Sequence, residues 1–148
     1  MMEQFENIFP ALFPFFFIGM WIFVLKKLSS MSGWATLAEH FHFQEKFEGR
    51  YYRFQSARLN KVNYSSTLEI GMNEMGLYMV PIILFRLFHQ PLFIPWVEIE
   101  AEPFKAFFFK GYRLRFRSYP DITLEVSRKA FERMLEFHSA FSNFQPVA

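Results

Sequence analysis

The chain has no cysteine, only six scattered glycines and a formal net charge of just +2, and from Ile8 to Leu25 it has no charged residue at all. The missing cysteine excludes disulfides, thiolate catalysis and Cys-ligated zinc, and it is compatible with a cytoplasmic domain. The glycines stand singly, as turn residues. No Gly-rich loop precedes a helix to cradle a phosphate, and no Gly-x-Ser-x-Gly elbow presents a nucleophile. The small net charge gives no electrostatic footprint for nucleic acid. Internal repeats, low-complexity tracts and long linkers are also missing. The pattern names no cofactor and no catalytic constellation, and the expectation is a protein that is not an enzyme.

What the chain does have is one uninterrupted apolar run. Ile8–Leu25, IFPALFPFFFIGMWIFVL, ends abruptly at Lys26-Lys27. As a helix it reaches roughly 27 Å, close to the hydrocarbon thickness of a bilayer. A core helix of a soluble protein would show a polar face, and this run shows none. A cleavable signal peptide would start with basic residues and end at a small-residue site. This one starts with Glu3 and Glu6 and ends in Lys-Lys-Leu-Ser-Ser. The run therefore predicts a single membrane anchor, with Phe15, Phe16, Phe17, Trp21 and Phe23 facing lipid and Lys26 and Lys27 at the headgroups. Pro10 suits a first helical turn, whereas Pro14 bends the helix or delays its regular part. The Lys/Arg bias predicts an N-terminus outside and residues 26–148 in the cytoplasm, at a plasma or inner membrane.

After the anchor the periodicity changes twice. Residues 28–33, LSSMSG, read as a hinge, with Ser32 as a helix cap. Trp34, Leu37, Ala38 and Phe41 then share one face of a short helix, which either docks on the domain or rests on the membrane surface. From Phe47 to Ser127 the period is two. Strands are predicted over 47–59 and 62–70, and a turn over Gly71–Glu74. Two strands within 76–96 flank a tight His89-Gln90-Pro91 connection. This stretch is too broken by Pro81, Pro91, Pro95 and Arg86 to be a second span. A hairpin about Lys110-Gly111 joins Ala106–Phe109 to Tyr112–Arg117, and a strand over Ile122–Val126 follows a Tyr119-Pro120-Asp121 turn. A last helix, capped by Ser127, presents Ala130, Met134, Phe137 and Phe141 on one face.

The expectation is thus an α+β chain. One N-terminal transmembrane helix precedes a bent antiparallel sheet or barrel of about seven strands, closed by a C-terminal helix. It divides into a tail and anchor (1–28), a hinge and juxtamembrane helix (29–45) and the sheet domain (46–148). That order resembles a pleckstrin-homology-like (PH-like) barrel. The segments Ser32-Gly33-Trp34-Ala35-Thr36-Leu37-Ala38, Gly76-Leu77-Tyr78, Phe88-His89-Gln90-Pro91-Leu92-Phe93-Ile94-Pro95-Trp96 and Glu98-Ile99 resemble a family of small bacterial membrane-anchored proteins of unknown function, and the GRAM-like pattern more broadly. Gln90 stands where that pattern has proline. The resemblance implies the fold and brings no catalytic residues with it. PH-like domains in general dock lipids or proteins, which is an analogy at the level of fold.

The residues themselves offer one candidate contact surface. Period two puts Arg113, Arg115 and Arg117 on one strand face, with Lys105 and Lys110 near in sequence and Arg50, Arg53 and Arg58 adding charge elsewhere. Near an anionic leaflet each basic residue contributes roughly 1 kcal/mol, so this stripe could hold lipid headgroups or an acidic partner. The alternative is a solvated face paired with Glu125 or Glu69. Phe107-Phe108-Phe109 and Tyr51-Tyr52 each put an aromatic ring on the outer face. No metal site is expected. His40 and His42 point apart on a helix, and Glu39-x-x-His42 lacks the second half-site a di-iron centre needs, while His89 and His138 stand alone. The functional expectation is a membrane-anchored binding module that docks a protein partner or anionic lipid at the cytoplasmic face. The alternative is an accessory subunit of a larger membrane complex. The partners are membrane lipids and other membrane proteins, not nucleic acid.

Overall fold

The computed structural model describes residues 2–106 and 109–137. Helix α1, Met2–Ser32, holds both Pro10 and Pro14 within its length, so the regular helix is longer than the apolar run alone implied. The stretch read as a hinge, 28–33, is helical to Ser32. The break falls on one residue, Gly33, whose φ of +83° is left-handed and costs little without a Cβ. Tertiary burial explains the extension, since Leu25, Ser29 and Ser32 are buried against the domain. Helix α2, Trp34–Phe41, follows at once. Its buried residues are Trp34, Leu37, Ala38 and Phe41, the spacing read from the sequence. Gly33, rather than Ser32, occupies the cap position, although Ser32 Oγ still accepts the Trp34 N–H at 3.2 Å.

Seven strands form one antiparallel sheet curled into a half-barrel. They are β1 (Arg50–Leu59), β2 (Val62–Met72), β3 (Gly76–Pro81), β4 (Leu92–Pro95), β5 (Ile99–Ala106), β6 (Phe109–Phe116) and β7 (Tyr119–Ser127), in the order β4-β3-β2-β1-β7-β6-β5. The α+β layout matches the sequence expectation, but several boundaries differ. The β2–β3 turn begins at Asn73, not Gly71, because Asn73 Oδ1 accepts the amides of Met75 and Gly76 and closes the turn itself. Lys110 and Gly111 lie inside β6, not at a turn. The β5–β6 register pairs Ala106 with Phe109, Lys105 with Lys110 and Phe104 with Gly111. Strand β5 starts at Ile99, earlier than its pattern suggested. Pro103 is tolerated there because β5 is the edge of the sheet. Tyr119-Pro120-Asp121 opens β7, and the turn before it is Arg117-Ser118.

Strand β1 pairs with β7 only at Arg58–Glu125 and Leu59–Leu124, then diverges. Helix α3, Arg128–Leu135, lies over this opening. Ser127 Oγ accepts the Ala130 N–H at 3.2 Å, as its capping role requires. Ala130, Phe131 and Met134 enter the core, with Phe131 stacked on Tyr112 at 3.8 Å. Arg133 reaches Gln55 of β1 and sits over the Tyr52 ring, and Arg50 pairs with Glu136, so polar contacts hold the helix to the diverging strand. Phe137 packs on the core just past the helix, and Phe141 and His138 lie outside the described residues. The concave side of the sheet, α2 and α3 share one core.

Candidate functional site at the helix–domain junction

Helix α1 is the one helix among the described residues long and apolar enough to span a membrane, over Pro10–Ser32. Its middle is not covered by the domain. Phe15, Phe16, Phe17 and Phe23 are exposed, as are Lys26 and Lys27, and Trp21 is half-buried. A core helix of a soluble domain would be sheltered. Phe13, Phe17 and Trp21 stack at successive i, i+4 positions, 6.4 and 6.5 Å between ring centres. The row continues off the helix onto Phe85, 5.1 Å from Trp21.

The junction itself is a polar network inside an aromatic shell. The Tyr64 hydroxyl bridges Ser32 Oγ at 2.9 Å and His89 Nε2 at 3.0 Å, while His89 Nδ1 lies 3.0 Å from the Leu87 carbonyl. Burial holds the His89 imidazole below its usual pKa, so the ring is neutral near pH 7. Burial raises the Tyr64 hydroxyl above its ordinary value, partly offset by the bond to Ser32. The Trp34 indole donates to the Gln90 carbonyl at 2.8 Å, and Ser29 Oγ donates to the Phe88 carbonyl at 2.6 Å. Asn60, in the β1–β2 turn, donates to the Ser32 carbonyl and accepts from the Thr123 amide. The end of α1 is thereby fastened to β2, β7 and the β3–β4 connection. A cleft of about 570 Å³ opens beside it, lined by Lys26, Ser29, Glu39, His42, Phe88 and Gln90 among others.

The connection between β3 and β4 is not the tight turn read from the sequence. It contains a 3-10 turn at Ile83–Phe85 and reaches back to α1, where Trp21 Nε1 donates to the Leu84 carbonyl at 3.2 Å. Arg86 turns toward the sheet. Its guanidinium donates to Glu69 at 2.8 Å and to the Pro81 carbonyl at 2.9 Å. Glu69 also receives the Tyr51 hydroxyl, and Arg53 lies 3.8 Å away. Burial, then the Glu69 carboxylate, push the Tyr51 hydroxyl above its ordinary pKa. Sequence reasoning missed this cluster because its members come from three separate strands or loops. A usable signal was present: 82–88 is apolar except for one arginine.

Arg113 and Arg115 lie two apart on β6, while Arg117 falls just past the strand, and together they are not a bare basic surface. Arg113 lies 3.3 Å from Glu125 and 3.7 Å from Glu102, with its guanidinium 4.1 Å above the Phe104 ring. Arg115 pairs with Glu102 at 3.0 Å. Arg117, in the turn after β6, pairs with Glu100 at 3.2 Å. Glu125 therefore serves as the cross-strand partner anticipated, whereas Glu69 serves Arg86 and Arg53. Lys105 and Lys110 face each other across β5 and β6. Tyr51 and Tyr52 point to opposite sides. Tyr51 joins an outer aromatic cluster with Phe47 and Tyr78, and Tyr52 packs on the core. Phe107 and Phe108 lie outside the described residues, as does the side chain of Phe109.

The described histidines, His40, His42 and His89, do not converge. His40 packs against Phe41 and Tyr119, His42 Nδ1 lies 2.8 Å from the Ala38 carbonyl, and His89 is in the junction. Among the described residues no three His, Cys, Asp or Glu side chains form a group that could hold a metal ion. Comparison of the chain with protein-family models, with curated proteins and with solved structures finds no match in any of the three.

Proposed function

We propose that this protein is a non-enzymatic docking module, anchored by α1 and held against the cytoplasmic face of a bacterial inner membrane, where its sheet meets a protein partner. One observation carries the reading. The anchor runs into the domain as a single helix whose last turns bury one face against it, with Leu25, Ser29 and Ser32 buried. A catalytic domain needing only to be kept at a membrane can hang on a flexible tether; a module that must meet a neighbouring membrane protein at fixed height and angle gains from a rigid mount. The outer face of β5–β7 suits a protein better than a lipid surface. Arg113, Arg115 and Arg117 are matched by Glu100, Glu102 and Glu125, so attraction to an anionic leaflet largely cancels. An alternating charge pattern still specifies the register of a partner with the complementary pattern.

The accessory-subunit reading draws on a different observation. Pro10 and Pro14 both lie inside α1, and each removes an amide that would have bonded the carbonyl four residues earlier. Neighbouring helices are one way to satisfy such carbonyls in lipid. Native-level extraction in mild detergent, followed by sizing and mass spectrometry, tests both. A stoichiometric partner released by Arg115→Glu with Arg117→Glu supports the docking face. A partner retained by that variant supports association through α1. A lone monomer in every extract removes both.

A further inference from the structure

The exposed apolar residues of the domain are not evenly spread. Met75, Val97 and Phe54 protrude singly or in pairs, as happens on ordinary surfaces. The β3–β4 connection is different. Ile83 is 77% exposed, Leu84 68%, Leu87 46% and Phe88 42%, four large apolar side chains within six residues. Turned inward they would each bury apolar area; left in water they carry a cost that recurs along the whole segment.

We propose that residues 82–87 insert into the lipid beside α1, with Phe88 at headgroup level beside Ser29, forming a second, non-spanning membrane contact whose occupant is the acyl region of the leaflet that α1 enters from the domain side. The inference rests on the reading of α1 as a membrane anchor. Depth is set by direct contact. Leu84 meets Trp21, which lies five residues before Lys26, or about 7.5 Å along the helix axis. With Lys26 and Lys27 at the headgroups, the tip of the connection lies below them, level with the aromatic row of the anchor.

Several backbone groups of the segment are satisfied within the protein. Irregular chain is tolerated at membrane depth when its polar groups are satisfied by protein. Here the Ile82 amide donates to Thr67, the Phe85 amide to Ile82 and the His89 amide to Arg86. The Leu84 and Phe88 carbonyls accept from Trp21 and Ser29 of the anchor. Arg86, the one charge in the segment, is drawn back onto Glu69 and Pro81. Phe88 adopts a left-handed φ of +62°, an unfavourable state for a bulky residue, and its carbonyl bond to Ser29 helps hold that conformation.

The absence of cysteine makes the test clean. Full-length Leu84→Cys, Leu87→Cys, Ile18→Cys and Val97→Cys variants are labelled with a polarity-sensitive fluorophore and reconstituted in phosphatidylcholine vesicles. Quenching is read with aqueous iodide and, separately, with doxyl-labelled lipid. The expected result is that the two connection sites behave like Ile18, several-fold less quenched by iodide than Val97 and strongly quenched by doxyl lipid. Iodide access at Leu84 and Leu87 with Ile18 protected overturns the insertion while leaving the anchor. Iodide access at Ile18 overturns the anchor reading, and the insertion falls with it. Shielding of Leu84 and Leu87 from both quenchers means that protein covers them, a second copy or a partner, and also overturns lipid as the occupant.

Discussion

The stripe on β6 and the connection between β3 and β4 are both exposed, and they differ in how conspicuous they are in sequence and in what they offer in space. The stripe announces itself as three arginines at alternate positions, yet each has a carboxylate opposite or beside it. The connection looks like a turn between prolines, yet it presents four apolar side chains next to α1. Charge in a sheet is judged by the strands on either side, which sequence order hides; Glu100 and Glu102 precede Arg113 by more than ten residues. Apolar surface is judged by what it touches. Leu84 and Phe85 touch Trp21, more than sixty residues earlier in the chain.

The comparison can be broken most severely at the support beneath the connection. Trp34 is fully buried and its indole donates to Gln90, so Trp34→Ala removes both packing and a tether. A loss of about 3–5 kcal/mol is expected in denaturant unfolding of the detergent-solubilised protein. A loss under 1 kcal/mol would mean that the junction is not part of the cooperative core. Glu69→Gln comes next. It leaves Arg86 with a neutral partner at the base of the connection, and a loss of roughly 1–3 kcal/mol is expected, with faster proteolysis confined to 82–91. Cleavage elsewhere would show that Glu69 secures the sheet and not the connection. Gly33→Ala forces a Cβ within 2.8 Å of Ile122 at a left-handed φ, with an expected cost of about 1–2 kcal/mol.

The junction also responds to acid. The folded-state pKa of His89 is depressed, so the folded protein resists a proton that the unfolded chain accepts below about pH 6.5. The stability this contributes is present above that pH and is lost as pH falls toward the folded-state value. The groups facing the ring are Tyr64, Trp34 and the Leu87 carbonyl, and none is an anion near neutral pH. Unfolding measured between pH 7 and 5 should steepen in the wild type and flatten in His89→Gln. Equal slopes would move the acid sensitivity elsewhere. The smallest effect belongs to the stripe. Arg115→Gln with Arg117→Gln removes two exposed ion pairs, and stability should change by less than about 1 kcal/mol. Binding of the solubilised protein to vesicles should change little between neutral and anionic lipid. A strong dependence of binding on these two arginines would restore the stripe as a lipid site.

Much of the architecture was legible because it depends on local period. The apolar run of α1, the i, i+3, i+4, i+7 face of α2, the cap at Ser127 and the existence of strands β1, β2, β6 and β7 answer to spacing and composition. The errors fall where tertiary contact overrides spacing. Helix α1 outruns its expected end because Ser29 and Ser32, polar by type, are buried with partners in the domain. Strand β5 began early because a sheet edge accepts Pro103. The β3–β4 connection was misread for the same reason. Its shape comes from Trp21, Ser29 and Glu69, and no window of sequence around residue 85 contains them.

The single-residue break at Gly33 has a mechanical consequence. Asn60 clasps the carbonyl just before it, and Ile122 fills the space above it, so the corner between α1 and α2 is a fixed elbow and not a swivel. A helix longer than the local bilayer adjusts by leaning. Leaning a shaft that is bolted to its head turns the head by the same angle. On the anchored reading, the thickness of the surrounding lipid therefore sets the direction in which the sheet faces, and the domain works as the pointer of a thickness gauge.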